Sequence, residues 1–361
     1  MSEVSQVQDG LDIVCLADVK PEPVVWLWPQ RIALGKLTVI VGNPGLGKSQ
    51  LVASIAGVVT TGATWPDGTA SCDVGDVILL SAEDDAADTL VPRLHAVHAD
   101  MQRCHTIEAV NECGKDGRSI KRDFNIRNDI ERLERCLKDR PETRLIVIDP
   151  ISSYMGMTDG NNNNEVRSTL APLIELAARH CIAVIAVTHM NKSLGTNPMA
   201  RVMGSMGLIA AARAGWLVVE DKNDLSRRLF LSMKSNLSGS AENQGLAFRI
   251  KSAVVQENIS TSRIVWDGTP VTISATDALQ QEDGNDEAGD VQGFLHNLLE
   301  DGPQKAVDIF TAAKAAGFSE KSIRLAKKKL GIKTRKSSMH GGWEWGLPSK
   351  IPEGGEDTPS K

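Results

Sequence analysis

Tyrosine occurs once in these 361 residues, phenylalanine six times, and aromatic residues make up only 4% of the chain. A protein that grips single strands by stacking base after base on rings needs more, so any strand contact would have to rely on loops and phosphates. The six cysteines, Cys15, Cys72, Cys104, Cys113, Cys136 and Cys181, include no C-x-x-C pair and read as buried thiols rather than disulfides. His95, His98, Cys104, His105 and Cys113 lie close in sequence, at spacings that fit no standard zinc module. Long apolar runs are missing too. The longest, Leu170 to Val187, is broken by Pro172, Glu175, Arg179 and His180, so no membrane span is expected. No basic leader precedes an apolar stretch near Met1, so a signal peptide is not expected and the chain reads as cytoplasmic.

What remains is the composition of an ordinary soluble globular protein, 41% hydrophobic and 24% charged, with room for two domains. The net charge of −6 conceals a reversal of sign. Between Asp277 and Asp301 every charged residue is acidic, whereas from Lys305 to Lys336 a run of Lys and Arg faces only Asp308 and Glu320. Such a switch suggests a linker followed by a nucleic-acid-binding module.

The chemistry centres on Gly42-Asn43-Pro44-Gly45-Leu46-Gly47-Lys48-Ser49, a G-x-x-x-x-G-K-S phosphate-binding loop. Its glycines let successive backbone N–H groups turn toward a polyphosphate. Lys48 can reach the β- and γ-phosphates of ATP, and the Ser49 hydroxyl can ligate Mg²⁺. Leu37 to Val41 suits a buried strand, and Leu51 to Val58 continues as a helix whose N-terminus faces the anion.

Asp76 to Ser81 reads as a second buried strand, with Glu83, Asp84 and Asp85 directly beyond it. Ligands of an open parallel sheet sit at those carboxyl ends. A carboxylate there can polarise the water that attacks the γ-phosphate, although acids also cap a following helix. Glu83 is taken as the catalytic one. Arg144-Leu145-Ile146-Val147-Ile148-Asp149 is a Walker B strand, with Asp149 placed to hold the Mg²⁺ shell. Cys181 to Thr188 is another buried strand, ending at His189, which can hydrogen-bond the γ-phosphate or its attacking water. The polar loop Ser152 to Asn164 reads equally as DNA-facing or as a flexible turn. Trp26 or Trp28 can stack on a base, though core packing is the stronger reading. Leu208 to Ala214 reads as a helix carrying Arg213, and the strands after it are expected to be antiparallel because their connections are short.

With P-loop, Glu-bearing strand end, Walker B and terminal His in this order, the chain resembles the RecA-like ATPases. Within them it is most similar to the plasmid RepA-type hexameric replicative helicases and their phage and prophage relatives. The resemblance covers roughly Trp26 to Ile250. It is carried by Gly42–Ser49, Ser81-Ala82-Glu83-Asp84, Val147-Ile148-Asp149, His189 with Lys192, Gly204-Ser205, Arg213 and Lys234-Ser235-Asn236. It implies an ATP site shared between subunits of a homohexamer, with a single DNA strand through the ring. It also implies that Arg213 is an arginine finger and Lys234 a second cation, both reaching the neighbour's nucleotide, where negative charge gathers in the transition state. A solvated helix-face Arg213 and a solvated strand-end Lys234 are the plainer alternatives. The chain departs from the pattern at Thr188-His189, where paired histidines are expected, and in its C-terminal extension.

That extension, Asp290 to Leu347, reads as an independent small domain of three helices and a basic hairpin. The helices are Val291–Leu299, Asp308–Ala316 and Glu320–Leu330, the last capped by Ser319. Lys321, Arg324, Lys327 and Lys328 are expected on its outer face, aimed at a duplex major groove as in a winged helix-turn-helix. A merely solvated basic helix and a grip on a protein partner are the competing readings.

The expected organisation runs from a flexible N-terminus (1–20) to an α/β, RecA-like ATPase domain (21–275) with a mostly parallel sheet and antiparallel edge strands. An acidic linker (276–289), a winged-helix-like domain (290–348) and a disordered tail (349–361) follow. The expected function is a DNA-linked, ring-forming ATPase of the replicative-helicase type. The alternatives are an ATP-gated DNA-binding regulator and a recombinase-like filament with little or no unwinding.

Overall fold

The computed structural model describes residues 13–70, 73–113, 118–158, 162–190, 206–237, 244–256, 258–300, 302–316, 318–336 and 342–348. Lys192, Gly204 and Ser205, singled out above, lie outside the described residues, as do the 1–12 segment and the 349–361 tail. Two short strands, β1 (Trp26–Trp28) and β2 (Ile32–Ala33), pair antiparallel and lead into β3 (Leu37–Gly42). Every residue of β3 is buried, the near-continuous apolar run of a strand covered on both faces. Leu37, Val39 and Val41 join one apolar cluster and Ile40 joins the other, as a period of two requires. Trp28 is fully buried and stacked 4.6 Å from Trp65, so it belongs to the core and offers no seat for a base.

Helix α1 (Lys48–Thr61) follows the P-loop. Then come β4 (Asp76–Ser81), α2 (Val91–Ala96), β5 (Cys104–Thr106) and a hairpin of β6 (Val110–Cys113) and β7 (Ser119–Arg122). After these lie α3 (Ile126–Asp139), β8 (Thr143–Asp149), α4 (Asn163–His180) and β9 (Ala183–His189). The core closes with α5 (Met206–Ala211), β10 (Ala214–Asp221), β11 (Asp224–Ser235), β12 (Leu246–Val255) and β13 (Ile259–Trp266). Nine strands form one sheet in the order β13-β12-β11-β10-β3-β9-β8-β4-β5. From β10 to β5 every pairing is parallel, and from β10 to β13 every pairing is antiparallel, as the short connections dictate. With helices on both faces, this is the RecA-like P-loop core, and β9 is inserted between the P-loop strand and the Walker B strand.

Helix α6 (Ala275–Glu300) changes the expected organisation. Residues 276–289, expected as a linker, are helical. The start is fixed by a reciprocal cap. The Asp277 N–H donates to Ser274 Oγ (3.1 Å), and that hydroxyl donates to Asp277 Oδ2 (2.7 Å). Glu, Gln and Ala are strong helix formers, so Gly284 and Gly289 weaken the helix without ending it. Its first turns place Ala275, Ala278 and Leu279 in the ATPase core, while Val291, Leu295 and Leu299 join a separate third cluster. One helix therefore serves two cores.

The second core is completed by β14 (Gln304–Lys305), α7 (Ala306–Ala315), α8 (Glu320–Lys329), β15 (Lys333–Lys336) and β16 (Trp343–Gly346). Its three strands are antiparallel in the order β14-β16-β15. Ser319 caps α8, accepting from the Ser322 N–H at 3.1 Å, and Ile323 and Ala326 point inward. Lys321, Arg324 and Lys328 are exposed as expected. Lys327 is not. Its ammonium folds back to 4.4 Å from the Trp345 ring centre and donates to Thr334 Oγ1, because its four-carbon stem is long enough to reach the aromatic face.

Candidate nucleotide-binding site

A parallel sheet gathers the carboxyl ends of its strands at one edge, so residues far apart in sequence meet there. Here Gly42 is level with His189, and Ser81 is level with Asp149. The loop from Gly42 to Ser49 turns over this edge. A Cβ on Gly42 would meet the Val218 carbonyl oxygen at 2.5 Å, so only glycine lets the strand pass. Gly45 and Gly47 take φ of 80° and 82°, a left-handed turn that points the following N–H groups inward. Ile250 of β12 leans against Gly47, and Gln50 donates to Ser262 of β13, so the antiparallel strands brace the loop from outside.

Lys48 is only 5% exposed. Its ammonium donates to the carbonyl oxygens of Gly42 (2.9 Å) and Asn43 (2.8 Å) and to Nδ1 of His189 (3.1 Å). With Nδ1 accepting, the ring proton sits on Nε2, 3.9 Å from Glu83 Oε1. Lys48, His189 and Glu83 thus form one line across three strand ends. The three acids after β4 divide their work. Asp85 caps the next turn by accepting from the N–H groups of Ala87 (2.7 Å) and Asp88 (3.2 Å), and Asp84 pairs with Arg93. Glu83 is the one that faces His189.

Asp149 accepts a hydrogen bond from Ser49, and both line a small cleft with Ser81 and Asp84. Burial lifts the Asp149 carboxyl above the usual range; the Ser49 hydrogen bond opposes this, and Asp84 and Glu83 add to the rise. Crowded carboxylates beside a hydroxyl are the hard oxygen donors that Mg²⁺ takes together with phosphate oxygens. Ser49 and Asp149 fit that metal.

Burial pushes the Lys48 ammonium down to about 8, against the pull of Asp149 and Glu83. ATP phosphates need the charged form, so above that pH binding must take up a proton. Affinity for Mg·ATP is expected to hold level below about pH 8 and to fall up to about tenfold per pH unit above it. Titration calorimetry in buffers of different ionisation heat reads the proton directly, and a level affinity up to about pH 10 would refute the linkage.

Arg213 and Lys234 lie at the opposite edge. Ala214 is level with Thr38 at the start of β3, and the Arg213 N–H donates to the Leu37 carbonyl (3.0 Å). The helix expected over Leu208 to Ala214 stops at Ala211. Arg213 therefore sits in the joint before β10, exposed and without an acidic partner among the described residues. Lys234 is no solvated strand end, since it donates to three carbonyls around α5. Burial, then Arg213 and Arg167, lower its proton affinity, which places Arg167 of α4 in the same cationic patch. Nothing in the sequence marks Arg167; it is one polar position on an amphipathic helix.

The structure thus brings Gly42–Ser49, Glu83, Asp149 and His189 together and keeps Arg213 and Lys234 apart from them. No curated protein matches this chain. A family model described as an AAA domain matches residues 3–194, spanning the P-loop, Glu83, Asp149 and His189 but stopping short of Arg213 and the C-terminal unit. The match covers more than half of the 361 residues, and the chain belongs to this AAA family of P-loop ATPases.

Proposed function

We propose that this ATPase works as a ring coupled to DNA, a helicase-type motor whose subunits share their nucleotide sites. The position of Arg213 carries this most directly. It is an exposed guanidinium, without an acidic partner among the described residues, at the edge of the sheet opposite the chain's own P-loop. A head-to-tail ring can set that edge of one subunit against the P-loop edge of the next.

Within the site, the Glu83 carboxylate takes the proton from the attacking water. The water oxygen attacks the γ-phosphorus, the bond to the β-phosphate oxygen breaks, and ADP leaves. Lys48 opposes the charge on the β- and γ-phosphate oxygens, and His189 accepts from Lys48, with its other nitrogen 3.9 Å from Glu83. Mg²⁺, held by Ser49 and Asp149, would neutralise those same oxygens. The neighbour's Arg213 adds the final positive charge. Glu83→Gln is expected to bind Mg·ATP normally and turn it over roughly 10²–10⁴-fold more slowly. Loss of nucleotide binding in that variant would make Glu83 structural.

Turnover with and without single-stranded DNA, alongside native mass, tests the whole. A hexamer stimulated by the strand is expected. A monomer indifferent to it would favour the ATP-gated regulator instead.

The C-terminal unit supplies the duplex contact, through Lys321, Arg324 and Lys328 on the exposed face of α8. Reversing these three to Glu should weaken duplex binding and flatten the slope of log K against log[salt] by roughly 3. Unchanged affinity and slope would assign the helix to a protein partner.

A further inference from the structure

We infer that Lys234 is a positioning residue for Arg213 rather than a second cation offered to the neighbouring nucleotide. This rests on the shared-site reading above and sharpens it.

An ammonium carries three N–H donors and no more. Lys234 points its Nζ at the carbonyl oxygens of Ile209 (2.8 Å), Ala210 (3.2 Å) and Ala212 (2.8 Å). That leaves no donor for a phosphate across an interface. Two of these acceptors, Ile209 and Ala210, are carbonyls of the last turn of α5, and the third, Ala212, lies just past its end, where the negative end of a helix favours a cation. Ala212 is also the residue directly before Arg213.

The other side of Arg213 is held by the same strand. The Arg213 carbonyl accepts from the N–H of Asn236 (3.1 Å), two residues beyond Lys234, while its own N–H is bonded to Leu37 on β3. The joint therefore has three fixings: β3, the end of β11, and the Lys234 ammonium. Helix α5 is short, and its Gly207 lies so close to α4 that a Cβ would meet Val166 at 2.9 Å. Without Lys234, that short helix and the residue before the finger lose their polar anchor, and the guanidinium loses its fixed starting point.

A double-mutant cycle on the full-length assembly separates positioning from direct contact. Lys234→Ala is expected to lower kcat roughly 10²-fold with KM for ATP unchanged, since its own P-loop is at the far edge. In the Arg213→Ala background, the same substitution should cost nothing further. Lys234→Gln keeps two N–H donors without the charge and should recover much of the loss; it also serves if Lys234→Ala does not fold. Losses that multiply in the double variant, or a Lys234→Gln as poor as Lys234→Ala, would mean that Lys234 touches phosphate itself, and would overturn the inference while leaving the shared site intact. Full turnover in Lys234→Ala would overturn it as well. Full turnover in Arg213→Ala would instead remove the finger, and this inference with it.

Discussion

Lys48→Ala is expected to abolish ATP turnover, a loss of roughly 10³-fold or more, and Asp149→Ala is expected to match it. Both act at the same few ångströms from opposite signs of charge. Lys48 is the buried cation that links the Gly42 and Asn43 carbonyls to His189, so its loss removes the charge facing the phosphates and the contact that ties P-loop to β9. Asp149 is the half-buried carboxylate that accepts from Ser49 and would hold Mg²⁺ with it. Phosphate release reports the turnover. Thermal unfolding beside it shows whether the variant still folds, with Lys48→Met as the better-packed partner for a site this buried. Turnover near the wild-type rate in either folded variant would remove the core of the proposed mechanism.

Arg213→Ala is expected to lose roughly 10³-fold or more in turnover while binding ATP as before, because its own P-loop is untouched. The decisive result comes from mixing. Lys48→Ala subunits have a dead nucleotide site and an intact finger, and Arg213→Ala subunits have the reverse. Rings assembled from both contain junctions where a live site meets a live finger, so activity should return. Its absence in rings shown to contain both subunits would rule out a site shared across the interface.

Much of this site is legible along the chain, since each piece is a strand end followed by its own chemistry. Gly42–Ser49, Glu83, Asp149 and His189 each close an apolar run, and a parallel sheet has to bring such ends together. Strand order is different. That β9 lies between β3 and β8 follows from long-range pairing, which no local run of residues encodes. The acidic stretch after Ala275 was open to a better local reading. Ser274 and Asp277 form a helix-opening cap at the right spacing, yet the glycines and the charge run suggest a linker. Lys327 and Lys234 share another cause. A lysine in a basic or strand-end setting looks solvated until the fold shows what its stem can reach, here the Trp345 ring and the end of α5. The family match ends at 194, so the roles read for Arg213 and Lys234 rest on the resemblance of their sequence motifs and on their place at the far edge of the sheet.

Strand β3 has one consequence for timing. Its six residues span about 17 Å, with the P-loop at one end and Leu37, to which Arg213 is bonded, at the other. A strand buried on both faces and paired on both sides moves as a stiff rod. If subunits share their sites as proposed, a shift of the P-loop on phosphate release would be carried along that rod toward Arg213 and the next pocket. In the proposed ring, β3 would then act as an escapement, each firing setting the phase of its neighbour.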